Sequence, residues 1–331
     1  MAVTIAEVAS RAGVSTATVS RVLSGAANAL PATRELVLAA VSELDYRPSG
    51  IARALKRRET RTLGLLVTDI GNPFYPLVAR AVEAAAHELG YAIVLANGGN
   101  DPEREIAHLE LLLERRVDGI LVASSRVSHR HAARLRRAPV PVVLINSIAG
   151  PTLSGVATAH RRGTRLAAEH LVDLGHRRIG YVGVPRGHGA STLRRAGVAD
   201  ALRTRDPAVV VEGDGTVDGG DRSVEPLLDA GVTGIVAYND LTAIGVLRGL
   251  RRHGVAVSDD VSVVGFDDIE MASWTDPPLT TVRQPFDALG LWAVARIVEA
   301  IRGRSAETVR AVLAPELVVR GSTAQPPGTT P

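Results

Sequence analysis

The sequence predicts an α/β protein with a small all-helical head and a two-lobed body, each lobe a doubly wound parallel sheet. Three observations carry this. Residues 1–47 hold three short apolar stripes at helical spacing. From Thr62 onward, short apolar runs alternate with helical stretches, the pattern of parallel strands covered on both faces. Two segments, "VDGILVAS" at 117–124 and "VTGIVAYN" at 232–239, nearly repeat one another and so suggest two similar lobes.

The head reads as follows. Thr4 with Glu7 three residues on forms a capping box and starts a helix with Ile5, Val8, Ala9 and Ala12 on one side. Gly13 ends it, because glycine takes a left-handed backbone cheaply. Ser15 caps a second helix in which Val19, Val22 and Leu23 face inward. That leaves Thr16, Ala17, Thr18, Ser20 and Arg21 on the outside. Pro31 suits the first position of a third helix, whose stripe is Leu36, Val37, Ala40, Val41 and Leu44. Two short helices across a tight turn, braced by a third, make a helix-turn-helix, whose second helix enters the major groove. Small hydroxyls and one arginine suit a surface pressed against base edges and phosphates. Residues 1–60 carry eight basic and five acidic side chains, which accounts for the whole net charge of +3. A basic head on a neutral body points to a polyanion.

The body supplies one set of strand runs, "TLGLLVT", "YAIVLA", "DGILVA" and "PVVLIN", with helices near 75–89 and 103–115. A second set follows: "RRIGYVGV", "AVVVEG", "TGIVAYND" and "DVSVVGFDD". Ligands bind beyond the carboxyl ends of such strands. Asp69, Asn72, Ser124, Ser125, Asn146, Asn239, Asp240, Asp267 and Asp268 stand there, with Arg194 on a following helix and Phe74, Phe266 and Trp274 nearby. Polar groups converging beside aromatic rings suit a polyhydroxylated ligand between the lobes. Asp240 and Asp268 read as helix caps. "VEGDGTVDGG" reads as a loop facing the cleft.

The segments "TIAEVASRAGVSTATVSRVL", "YRPSGIARALK" and "DPPLTTVRQP" resemble the LacI/GalR family of transcriptional repressors, and the resemblance covers nearly the whole chain. It implies a lac-repressor-like arrangement: helix-turn-helix head over 1–47, hinge helix and linker over 48–60, and a periplasmic-binding-protein-like effector and dimerisation domain over 61–320. Lobe one would comprise about 61–158 plus 286–320 and lobe two about 159–285, with crossings near Thr158–His160, Arg283–Pro285 and Pro315–Arg320. Residues 321–331, a Pro/Gly/Thr run without core pattern, would form a disordered tail. The resemblance places Thr16, Ala17 and Arg21 at base-reading positions. Thr4, Ser15, Thr18, Ser20, Asn28, Thr33 and Tyr46 match phosphate-contacting ones. Ser49, Ala52, Leu55 and Lys56 of the hinge complete the DNA-contacting set, Leu55 as a wedge into the central base step. One departure is Leu30, where the family usually has a Ser or Thr cap, so the phosphate contact expected there is in doubt. Effector contacts fall on Phe74, Ser124, Asn146, Arg194, Asn239, Asp267, Trp274 and Gln284.

The implied partners are a palindromic double-stranded operator, a second copy of the chain, and a small-molecule effector. Sugar is the first expectation; a purine, or a phosphoprotein corepressor, is the alternative. No cofactor, metal or membrane is expected. The absence of cysteine excludes disulfides and thiolate metal sites. No secretory signal or membrane-length apolar run is evident, so a soluble cytoplasmic protein is expected. The sequence shows neither a phosphate loop nor a nucleophile elbow, against an enzyme such as a nucleotide-dependent transferase. His129 and His131 form a lone His-x-His, read as surface. A sugar-binding transport protein would share the body but lack the head.

Overall fold

Local chemistry sets the ends of the head's helices. In α1 (Ile5–Ala12) the Thr4 hydroxyl accepts from the Glu7 amide, and the Glu7 carboxylate accepts from the Thr4 amide at 2.7 Å, a complete capping box. Gly13, at φ 65°, ends it. The Ser15 hydroxyl accepts from the Thr18 amide at 3.2 Å and starts α2 (Thr16–Leu23). α3 (Pro31–Glu43) begins at proline with no side-chain cap, since Leu30 occupies that place. Val8, Ala12, Val19, Val22, Val37 and Ala40 pack as the head's core. Leu36 is a correction. It is 57% exposed, while Val37 is fully buried. Neighbouring residues on a helix point about 100° apart, so of Leu36, Val37 and Leu38 only one can face the centre.

The computed structural model describes residues 3–23, 30–46, 59–123, 132–147, 152–185, 190–304 and 307–328. It divides into two units, Met1–Arg61 and Thr62–Pro331.

In the second unit the first lobe is built on β1 (Thr62–Val67), β2 (Ala92–Asn97), β3 (Gly119–Ala123), β4 (Val142–Ile145) and β5 (Ser154–Thr158). These alternate with α4 (Phe74–Glu88), α5 (Pro102–Glu114) and the short α6 (Ala132–Arg136). After β5 the chain enters α7 (His160–Asp173) and builds the second lobe. Its elements are β6 (Ile179–Gly183), α8 (Ser191–Ala201), β7 (Val209–Glu212), α9 (Val217–Arg222), α10 (Val224–Asp229), β8 (Gly234–Ala237), α11 (Asp240–Arg252) and β9 (Ser262–Val264). A 3-10 turn (Glu270–Ser273) and β10 (Thr281–Arg283) lead back to α12 (Phe286–Ile301) and β11 (Arg310–Leu313), before β12 (Glu316–Val318).

The first sheet runs β11-β5-β4-β3-β1-β2, the second β7-β6-β8-β9, and all their pairs are parallel. In both, the strand order reverses beside the lobe's first strand, which is where such sheets open a crevice. Leu63, Leu65, Val67, Val78 and Val82 pack with Leu289, Val294 and Ile297 of α12. Thus the late helix α12 completes the first lobe. The chain passes between lobes at 158–160, 283–286 and 313–316.

Several expectations change. β2 is an edge strand with Val94 40% and Leu95 45% exposed, so "YAIVLA" is not a buried strand. β7 is likewise an edge strand, with Val210 exposed. "VEGDGTVDGG" is not one loop: Thr216 caps α9 by accepting from the Gly219 amide. There Gly220 and Gly245 let α9 and α11 meet backbone to backbone, since a Cβ on Gly220 would lie 2.1 Å from the Thr242 carbonyl oxygen.

The first lobe does not extend to residue 320. β12 pairs antiparallel with β10, and β10 lies alongside the second lobe through bridges Val264–Thr280 and Asp267–Arg283. Nor are residues 321–324 a loose tail. Ser322 is fully buried; its hydroxyl donates to the Val263 carbonyl and accepts from the Thr280 amide. Ala324 accepts from Ser262 and pairs with His176. Small polar residues carry no apolar pattern, yet their backbone and hydroxyls satisfy the second lobe's otherwise unpaired edge.

Candidate ligand cleft and nucleic-acid interface

In the head, Thr16, Ala17 and Arg21 are exposed along one side of α2, while Thr18 and Ser20 are half-buried. The Ser15 and Thr18 hydroxyls are 2.9 Å apart, and Arg21 donates to Thr18 at 3.2 Å. This small ladder lays the guanidinium along its own helix. Thr33 is half-buried at the start of α3, and Tyr46 packs its ring against the head's core. Thr4 is exposed, but its hydroxyl is engaged by Glu7 at 3.0 Å. Asn28, Ser49, Ala52, Leu55 and Lys56 lie outside the described residues, as do Ser124, Ser125, His129 and His131.

In the body, Asn72, Phe74, Tyr75 and Asn146 of the first lobe face Arg194, Tyr238, Asn239 and Asp267 of the second across one cleft. Positions more than 190 residues apart are thus brought together. Two sit in the sparsely populated positive-φ region, Asn146 at 54° and Asp267 at 128°. Such backbones persist only where surrounding contacts hold them, and they gather at functional sites.

Arg194 is 4% exposed. It donates to the Tyr238 carbonyl and, at 3.4 Å, to Asp267. Its guanidinium lies 3.7 Å from the centre of the Phe266 ring. The partners that hold it leave its Nε without an acceptor. Burial pushes the carboxyls of Asp267 and Asp240 up from their ordinary values, and the charge of Asp267 raises Asp240 further. Arg194 and Gln284 pull Asp267 part of the way back.

Gln284 is 1% exposed and does not line the cleft directly. Its amide NH2 donates to Asp267 at 2.6 Å, and its oxygen accepts from Asn146 at 3.1 Å and Thr158 at 2.6 Å. It therefore ties a first-lobe strand end to the cleft's buried carboxylate. Gln284 stands in the "DPPLTTVRQP" segment, where the resemblance predicts an effector contact, but only the fold shows it as a positioning residue between the lobes. Asn239 faces the cleft but also caps α11, accepting from the Thr242 amide and donating to the Gly215 carbonyl.

Trp274 is a correction. It follows the 3-10 turn, 68% exposed, and is not among the residues lining the cleft. Asp240 and Asp268 are neither caps nor cleft groups. Asp240 accepts from the Ile269 amide and the Thr281 hydroxyl, and Asp268 pairs with Arg283 and Arg320, each at 2.6 Å. Among the described residues no cluster of His, Asp or Glu could hold a metal ion, and no helix is long and apolar enough to cross a membrane.

Comparisons with known proteins agree with this layout. Residues 4–49 match the model of bacterial regulatory proteins of the lacI family, and residues 168–323 that of the periplasmic binding protein-like domain. The HTH-type transcriptional regulator of the aml 5' region of Streptomyces limosus is 41% identical, covering 97% of this chain and 94% of its own. The lac repressor dimer, solved with operator and the anti-inducer ONPF, superposes with a TM-score of 0.88 at 31% identity, over 98% of this chain and 100% of that one. The transcriptional regulator CelR in complex with cellobiose gives 0.73 at 34% identity, over 97% and 99%. The chain belongs to the LacI family of bacterial transcriptional regulators.

Proposed function

We propose that this chain is a homodimeric repressor that reads a palindromic operator through α2 and changes its operator affinity when a sugar occupies the cleft. It works by binding, in the cytoplasm, and not by catalysis. The observation that carries this is the convergence of Phe74 and Asn146 with Arg194, Asn239 and Asp267 across two lobes of one body. A planar fork of donors beside a carboxylate fits vicinal hydroxyls, and an aromatic ring fits the apolar face of a sugar. The operator and dimer of the lac repressor complex, and the sugar of the CelR complex, support the same reading.

In this mechanism Thr16, Ala17 and Arg21 read base edges. Thr4, Ser15, Thr18, Ser20, Thr33 and Tyr46, with Asn28, hold phosphates. The hinge residues Ser49, Ala52, Leu55 and Lys56 follow the minor groove. Ser124 contacts the sugar. A ligand that prefers one relative orientation of the lobes shifts the balance between operator-binding and released states, with coupling on the order of 1–3 kcal/mol. The test is operator selection from random DNA, followed by operator titrations against a panel of mono- and disaccharides. One sugar should change the affinity at least about fivefold. A non-palindromic site, or no response to any sugar while a purine gives one, overturns the corresponding part.

A further inference from the structure

A second pocket of about 560 Å³ lies where the first crossing enters α7, with walls from both lobes. Asn146 lines both this pocket and the cleft, but the other named groups differ. We propose that this pocket binds a small organic anion, a phosphate or carboxylate on a compact body with an apolar face.

Four features point there. First, α7 starts at Ala159 with no side-chain cap and no acid in its first turn, so its leading amide hydrogens keep their positive end for an anion. Second, three arginines stand around that end. Asp200 neutralises Arg161 through bonds of 2.6 and 2.7 Å, and Glu169 meets Arg165 only at 3.4 Å. Arg162 has no acidic partner among the described residues. The wall therefore keeps an excess of positive charge even with the Asp200 carboxylate in it. Third, His160 stands in the wall, 3% exposed, and neither ring nitrogen has a partner. Burial, and then the Arg194 charge, push it well below its ordinary value, so the ring is neutral with one donor and one acceptor to offer. Buried polar groups are nearly always bonded, and a bound anion would take the donor. Fourth, Leu193 and Val312 flank the arginines, 46% and 59% exposed, and give an apolar shelf from each lobe.

The proposal stands apart from the sugar reading, because its test uses neither sugar nor operator. The full chain is titrated calorimetrically with phenyl phosphate, benzoate and phenol. At least one of the two anions should bind once per chain and phenol should not; the tighter anion identifies the head group. Arg162→Ala, at an exposed and unpaired position, should weaken that binding about tenfold, the loss of a charge-assisted bond. Arg162→Lys should restore most of it. The His160 ring resonances should move with the bound anion. The idea is overturned if neither anion binds at about 10 mM. It is also overturned if Arg162→Ala and Arg165→Ala together leave the affinity unchanged, which would place the anion elsewhere, for instance on the basic head.

Discussion

Helix α2 of the head and the cleft of the body hold their arginines in opposite ways. Arg21 is exposed on α2 and donates to Thr18 of the same helix. Arg194 is buried, fixed by a carbonyl, a carboxylate and two aromatic rings. In the head, recognition is laid over a core that is complete without it. In the cleft, the atoms proposed to hold ligand also hold the fold. A substitution on α2 should therefore separate binding from stability, and one in the cleft should not.

The sharpest way to break this contrast is Arg194→Ala. It leaves Asp267 buried without its cation, and breaking such a pair costs about 3–5 kcal/mol. The value should sit at the low end, because Asp267 can take up a proton. Urea unfolding of the body would show the loss, and operator titrations should show no sugar response. An unchanged midpoint would mean that the cleft is as independent of the fold as the head.

Gln284→Ala comes next. It removes the acceptor shared by Asn146 and Thr158 and a donor to Asp267. The expected cost is about 1–3 kcal/mol, with a weakened coupling between sugar and operator. Comparable in size but of another kind, Arg21→Ala should erase about 1–3 kcal/mol of base discrimination at one symmetric pair of operator positions. Its thermal midpoint should match the parent's. Unaltered base preference would remove Arg21 from the reading face.

A further effect is a tilt of stability with pH. Asp240 in the folded body is raised to about 7 and Asp267 to about 6. A carboxyl raised on folding binds its proton more tightly in the native state. Its contribution is full below the unfolded value and is lost as pH rises through the folded one. His160 works the other way, since its lowered value removes stability as pH falls. The two are separated by difference: relative to Asp240→Asn, the parent should lose stability between about pH 4 and pH 7. A difference that does not change with pH would show Asp240 to be ordinary. The smallest effect is Arg11→Ala. Its 2.7 Å pair with Glu43 is more than half exposed on both sides, so the head's melting curve should hardly move.

How much of this was legible in the sequence depends on the range of the force concerned. Capping at Thr4 and Ser15, the break at Gly13 and the missing cap at Leu30 all act within a few residues, so they read directly from the chain. The alternation of strand and helix gave two parallel-sheet lobes for the same reason: periodicity is written locally. It could not say that β2 and β7 lie at sheet edges, because an edge strand is defined by a missing neighbour. Tertiary packing alone chose Val37 over Leu36, and it alone assigned the last polar residues to the second lobe, where Ser322 and Ala324 find partners some sixty positions earlier. The cleft divides in the same way. Strand ends marked Asn146, Asn239 and Asp267 as candidates. Only the folded chain could bring Gln284 against Thr158 and Asp267, or leave Trp274 outside, because side-chain hydrogen bonds between distant segments depend on positions that no local pattern encodes.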